Sequence, residues 1–365
     1  MYRPGNGVWS LPWSSSNGHA ALLGGAASSL VLQWGGAGDV PVPGDYDRDG
    51  KADIAVFRPA TGRWYILQST TNFTTSVSFQ WGLTSDIPVP TDFDGDGQTD
   101  LAVFRPASGT WFIRQSTTLY ATSVSFQWGL SGDVPAPNAP IANAVATVGS
   151  RPLTSTLANL TRGTDFNRDA KADITLYRPS NGSWSSASVT ILNARTFPDG
   201  TSSPAVAFYT PVVPSMPTGL SGDIPVAGDY DGDGTSDLAV YQSSTGTWNI
   251  LNLIPGTSGS LQFRGARVAY QWGLDGDMPV PGDYDGDGRT DPAVYRPANG
   301  VWYLLRSSTN FTTSAAIQWG LPGDVPVPGD YDGDGVTDFA VYRPSNGVWY
   351  LLKSSTGFTT FTAQQ

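Results

Sequence analysis

Six copies of one short spacing hold most of the residues in this sequence that could do chemistry. Counting the first aspartate as position one, acidic or amide side chains recur at positions one, three, five and nine. They are Asp45, Asp47, Asp49 and Asp53; Asp92, Asp94, Asp96 and Asp100; Asp165, Asn167, Asp169 and Asp173; Asp229, Asp231, Asp233 and Asp237; Asp283, Asp285, Asp287 and Asp291; and Asp330, Asp332, Asp334 and Asp338. Short side chains with oxygen atoms at alternate positions of a tight turn converge on one point. Hard oxygen donors in that number, completed by a backbone carbonyl at position seven and by water, form the shell that Ca2+ takes. Four gathered carboxylates would repel one another without a cation or protons between them.

The copies are not equal. Position six is glycine in five of them and Ala170 in the third, which also carries Asn167 in place of a carboxylate. A left-handed bend at Ala170 would cost about 1 kcal/mol, so of up to six Ca2+ sites the third is expected to be the weakest. The loops hold 23 of the 31 aspartates. Six bound dications would carry the formal net charge from -11 to about +1. An EF-hand would need glutamate at position twelve; here that position is Val56, Val103, Leu176, Val240, Val294 or Val341, so each loop runs into an apolar strand.

The elements that must position these loops follow from the repeat. First aspartates are 47, 73, 64, 54 and 47 residues apart, a base period of 47 with insertions in three units. Four short strand patterns fill each period, and no 3.6-residue periodicity is present. This is the signature of an all-β β-propeller. In the last unit the strands are expected at Val325 to Tyr331, Phe339 to Arg343, Val348 to Leu352 and Phe358 to Ala363. Tryptophan marks the third strands (Trp9, Trp64, Trp111, Trp184, Trp248, Trp302, Trp349) and the ends of fourth strands (Trp34, Trp81, Trp128, Trp272, Trp319). Large rings at fixed repeat positions read as packing between blades.

Seven tryptophan strands favour a seven-bladed ring in a single domain over 1–365, with an incomplete first blade over 1–35 and blades at 36–82, 83–129, 130–219, 220–273, 274–320 and 321–365. The alternative is a six-bladed ring with two surplus strands. An incomplete first blade would expose an unpaired edge, and self-association through it is expected.

Two further positions repeat. Arg3, Arg58, Arg105, Arg178, Arg296 and Arg343 precede proline after the second strand, with Gln242 as the exception; Asp39, Asp86, Asp133, Asp223, Asp277 and Asp324 open the first strand. Ion pairs joining each blade to its neighbour are expected from them. Insertions after the third strand, at Leu11 to Ser29, Ser185 to Pro217 and Asn252 to Arg267, should decorate the loop face, and the one around Asn138 to Arg162 the opposite face. Trp13, off the repeat register and beside His19, is the one aromatic read as a candidate for stacking on a sugar.

Composition narrows the function. There is no cysteine, no glutamate and one histidine, and 29 of the 31 aspartates belong to the two repeated sets, leaving Asp199 and Asp275. Paired-carboxylate catalysis would have to borrow metal ligands, so an enzyme is not expected. Three lysines and a net charge of -11 disfavour nucleic acid as a partner. No apolar run approaches a membrane span, so no membrane insertion is expected, and the first residues lack the pattern of a signal peptide.

The segment Gly-Asp-Val-Pro-Val-Pro-Gly-Asp-Tyr-Asp-Gly-Asp-Gly, followed by Ala-Val-Tyr-Arg-Pro, resembles the FG-GAP/VCBS-type repeats of bacterial extracellular proteins. The loop before an apolar strand is similar to the FG-GAP repeats of integrin α-subunit propellers, whose strict Phe-Gly and Gly-Ala-Pro signatures are here Tyr/Phe-Arg-Pro. The resemblance implies a calcium-loaded, secreted or cell-surface propeller, with ions between the first and second strands of each blade. It implies a non-catalytic scaffold for adhesion or lectin-like binding, with carbohydrate or a surface protein as partner. A subunit of a surface layer or filament, or a module of a larger secreted protein, is the alternative.

Overall fold

Each repeat folds into an antiparallel sheet, four-stranded in five blades and five-stranded in the sixth, where Ala21–Leu22 pairs outside Ser29–Gln33, because its second strand is apolar on both faces and its third alternates. Such a pair buries both faces only when another sheet packs on either side. The structure is a computed structural model. It describes residues 29–136, 164–192, 206–217, 219–220, 222–255 and 261–358, with the strand pieces 2–3, 8–9, 21–22, 195–196 and 202–203. The first blade comprises Val40–Pro41, Ile54–Arg58, Arg63–Leu67 and Ser76–Gln80; the second Ile87–Pro88, Leu101–Arg105, Thr110–Arg114 and Ser123–Gln127. The third comprises Val134–Pro135, Ile174–Arg178, Ser183–Leu192 and Val206–Pro217; the fourth Ile224–Pro225, Leu238–Gln242, Thr247–Leu251 and Val268–Gln271. The fifth comprises Met278–Pro279, Ala293–Arg296, Val301–Leu305 and Ser314–Gln318.

The sixth blade corrects the expected strand count. It takes Val325–Pro326, Phe339–Arg343 and Val348–Leu352 from the end of the chain, but its next strand is Ser29–Gln33. That strand pairs antiparallel from Val348 opposite Gln33 to Leu352 opposite Ser29. The ring therefore has six blades, not seven, and the segment read as an incomplete first blade supplies the strand that closes the last one. Residues 2–3 and 8–9 pair with each other as a separate two-stranded piece, the surplus strands of the six-bladed alternative. Periodicity does not distinguish a strand that opens one blade from one that completes another, since both carry the same Gln-Trp-Gly ending. The incomplete blade on which self-association was expected to rest is gone with this correction.

Hydrogen bonds between neighbouring blades show the closure directly. The position-eight backbone N–H of each loop donates to the position-one carbonyl of the loop before it: Thr99 to Asp45 (2.7 Å), Ala172 to Asp92 (2.8 Å), Ser236 to Asp165 (3.0 Å), Thr290 to Asp229 (2.7 Å), Thr337 to Asp283 (2.7 Å) and, across the closure, Ala52 to Asp330 (2.8 Å). A second set uses the tryptophans. Trp34 Nε1 donates to the Tyr65 carbonyl (3.2 Å), Trp272 to Tyr303 (3.2 Å) and Trp319 to Tyr350 (3.1 Å), each reaching the next blade. Third-strand Trp64, Trp111, Trp184, Trp248, Trp302 and Trp349 are fully buried, in the packing role their register predicted.

The arginine and aspartate sets meet, although within blades. Arg58 to Asp39, Arg105 to Asp86, Arg178 to Asp133, Arg296 to Asp277 and Arg343 to Asp324 close at 2.6 to 2.8 Å. Each pair joins the start of a first strand to the end of the second strand of the same sheet, where the antiparallel register sets them opposite one another. Trp13, His19 and the insertion around Asn138 to Arg162 lie outside the described residues.

Candidate metal centre

Each aspartate loop follows a first strand, and five of the six are pinched shut by a bridge between the residue before position one and position nine, such as Gly44 with Asp53; in the third the Asp173 N–H donates to the Thr164 carbonyl (2.7 Å). Inside it the position-one carboxylate collects the backbone. Asp45 Oδ1 accepts the Arg48 (2.6 Å) and Asp49 (3.2 Å) N–H groups, and Oδ2 accepts that of Gly50 (2.8 Å). The same bonds form at Asp92, Asp229 and Asp330. Gly50 needs its φ of 82° for this turn, and in the third loop Ala170 takes the same bend at φ 65°. The strain expected at Ala170 is therefore present.

Position nine points back into the loop from the start of the second strand. Asp53 Oδ2 accepts the Tyr46 N–H (2.9 Å) and Oδ1 that of Ser69 (2.6 Å). Ser69 opens a short 3-10 turn, Ser69–Thr71, after the third strand. Sequence reasoning missed this turn, which also gives its Ser69 hydroxyl to Asp49 (2.9 Å) and its Thr70 hydroxyl to Asp47 (2.5 Å). Equivalent collars are Ser116–Thr118, Ser307–Thr309 and Ser354–Thr356. The signal for them was the Ser-Thr-Thr or Ser-Ser-Thr that follows the third strand in these four units alone.

Five triplets bring a ligand atom from each residue within 4.8 Å of one another: Asp45, Asp47 and Asp53; Asp92, Asp94 and Asp96; Asp229, Asp231 and Asp237; Asp283, Asp285 and Asp291; and Asp330, Asp332 and Asp338. Asp49, Asp100, Asp233, Asp287 and Asp334 sit in the same loops outside those triplets. The third loop assembles no such acidic triplet: Asn167 stands at position three, and its Oδ1 accepts the Asp169 N–H (2.9 Å).

Turn hydrogen bonds satisfy position one, and position nine outside the third loop, where Asp173 Oδ1 is buried without a partner; in the first, fifth and sixth loops they leave position three unfinished. Asp47 Oδ1, Asp285 Oδ1 and Asp332 Oδ1 are buried with no hydrogen-bond partner. A carboxylate oxygen in that state is costly unless something positive meets it. The residues therefore fit a bound dication. Burial pushes Asp53, Asp173 and Asp237 up to about 8, Asp338 to about 7, and Asp45, Asp92 and Asp291 to about 6. Desolvation is the largest cause throughout, and neighbouring carboxylates add to it.

Against known proteins, the description FG-GAP-like repeat fits residues 45–103 and 283–341. The chain carries FG-GAP-like repeats. Both FG-GAP stretches run from one loop through the next at the uninterrupted spacing of 47, and units lengthened by insertions fall outside them. No curated protein matches the chain. Among solved structures, virginiamycin B lyase from Staphylococcus aureus is similar at 10% identity and TM-score 0.48, covering 89% of this chain and 98% of its own. An auxiliary nutrient binding protein from Bacteroides thetaiotaomicron is similar at 9% identity and TM-score 0.46, covering 88% and 69%. The rhamnogalacturonan lyase YesW is similar at 11% identity and TM-score 0.34, covering 93% and 74%. Likeness at this level transfers no activity or ligand to this chain.

Proposed function

We propose that this FG-GAP propeller is a calcium-stabilised extracellular scaffold that binds a carbohydrate or protein surface without catalysis. The observation that carries the metal is the buried, unpartnered position-three oxygen at Asp47, Asp285 and Asp332, each aimed into a loop whose other carboxylates are already engaged by backbone N–H groups. The candidate ligands are the residues at positions one, three, five and nine of the loops, from Asp45 to Asp338, for up to six ions with the third site the weakest. Loops of this type hold calcium at about 0.1 to 1 mM in extracellular modules, which supports a secreted or cell-surface setting. Among the described residues no helix is long and apolar enough to cross a membrane. A non-catalytic role is supported by the commitment of acidic groups elsewhere: Asp39, Asp86, Asp133, Asp277 and Asp324 are each clamped by arginine.

Calorimetric titration of chelator-treated protein with Ca2+, followed by thermal unfolding with and without the ion, tests the metal. Each site adds about 1.4 kcal/mol of stability at ten times its Kd. Unchanged melting together with no binding heat overturns the reading. A glycan array run in calcium then separates carbohydrate from protein as the bound surface.

A further inference from the structure

The four loops with Ser/Thr collars differ from the fourth in one respect that bears on which sites fill. In the fourth blade the third strand, Thr247–Leu251, leads into an inserted hairpin, Leu253–Pro255 paired with Leu261–Phe263. In place of hydroxyl groups this insertion brings Asn252 Nδ2 to Asp231 Oδ2 (3.0 Å) and Arg264 Nη1 to the same oxygen (3.2 Å). From the other side comes Arg168, position four of the degenerate third loop, whose Nη2 lies 2.8 Å from Asp233 Oδ1. The remaining oxygen of Asp231 accepts the Asp233 N–H (3.2 Å), so position three here has none of the orphaned character of Asp47, Asp285 and Asp332.

We infer that Arg168 and Arg264 serve the fourth loop as built-in cations, so that it holds its shape without a metal while the first, second, fifth and sixth loops take Ca2+. This inference rests on the calcium reading above. Two guanidinium groups in contact with position-three and position-five carboxylates repel an incoming dication and engage oxygens that would ligate it; the fifth loop has only the position-five contact, Arg289 Nη2 on Asp287 Oδ2 at 2.8 Å, and keeps its position-three Asp285 Oδ1 unpartnered. Both arginines are partly solvated, 40% and 59% exposed, which screens the repulsion. The expected penalty is therefore about tenfold in affinity rather than several orders of magnitude. The third loop, short of one carboxylate, thus lends its arginine to its neighbour, and two adjacent blades depart together from calcium loading.

The test is Ca2+ stoichiometry of the full chain by calorimetry, with native mass spectrometry counting bound ions. The wild type is expected to show a tight class of four. R168Q/R264Q should raise it to five, and adding Asp237→Asn to that pair should return it to four. R168K/R264K, which keeps the charge, should stay at four, and the contrast between the Gln and Lys pairs should shrink at high salt. A tight class of five in the wild type, unchanged by R168Q/R264Q, overturns the inference while leaving the calcium reading intact. No ion bound by any of these proteins overturns both.

Discussion

At position three the loops balance protein hydrogen bonding against metal binding at a single oxygen. Asp47 Oδ2 accepts the Thr70 hydroxyl, and its Oδ1 is left buried and bare. Asp47→Asn keeps the bond to Thr70 and removes the charge, so in chelator its stability should stay within about 0.5 kcal/mol of the parent. In saturating calcium it should fall by about 1.4 kcal/mol, for a tenfold loss of affinity at that loop. Paired unfolding curves with and without the ion read both numbers; an equal loss in the two buffers would assign Asp47 a structural role instead. Ala170 offers a second test at this scale. Its φ of 65° is one that glycine adopts freely, so Ala170→Gly should stabilise the chain by about 1 kcal/mol in urea unfolding. Here the sequence spoke clearly: the departure of Ala170 and Asn167 from their repeats marked the loop that assembles no acidic triplet. The collar serines were harder to read, because a hydroxyl beyond a strand end is ordinary turn chemistry until the fold brings it to Asp49 or Asp96.

The blade is the unit in which first and second strands are locked by a bidentate arginine and aspartate. Arg105 Nε and Nη2 reach Asp86 Oδ1 and Oδ2 at 2.7 and 2.8 Å, and the guanidinium stacks over Phe112 at 4.3 Å. The Asp86 side chain is wholly buried while a quarter of Arg105 faces water. Arg105→Gln should therefore cost about 2 to 3 kcal/mol, less than the 3 to 5 of a fully buried pair. The fourth blade is a natural version of that experiment. Its Gln242 stands where arginine would be, opposite Asp223 in the strand register, and burial raises the Asp223 carboxyl above its ordinary value. Gln242→Arg should add about 1 kcal/mol; a loss in urea unfolding would show that the fourth blade has no room for the clamp. Residue identity alone announced that these two sets belong together. It did not say which blade each partner came from, since Asp39 lies 19 residues before Arg58 and the connecting loop could in principle turn either way. The closing strand was illegible for a similar reason: the pairing of Ser29–Gln33 with Val348–Leu352 spans almost the whole chain, and no local pattern records it.

Across the whole molecule, the six loops are joined by a closed circle of position-eight to position-one hydrogen bonds, so their charge is a property of the ring and its effect on stability is collective. In chelator the raised carboxyls fix the sign of the pH dependence. Unfolded aspartates release their protons near 3.8, whereas in the folded chain Asp45, Asp92 and Asp291 hold theirs to about 6, Asp338 to about 7, and Asp53, Asp173 and Asp237 to about 8. Between those values the folded state binds more protons than the unfolded one, and the free energy of unfolding must fall as pH rises. The contribution is complete below 3.8 and is lost stepwise through 6 to 8. With Ca2+ saturating, protons and metal compete for the same oxygens, so that stability should climb over the same window. Melting temperatures followed from pH 4.5 to 8.5 should consequently descend in chelator, ascend in calcium and cross once. A chelated protein that grows more stable toward pH 8 would mean that backbone N–H groups already compensate the buried carboxylates, and that the ring has no use for an ion.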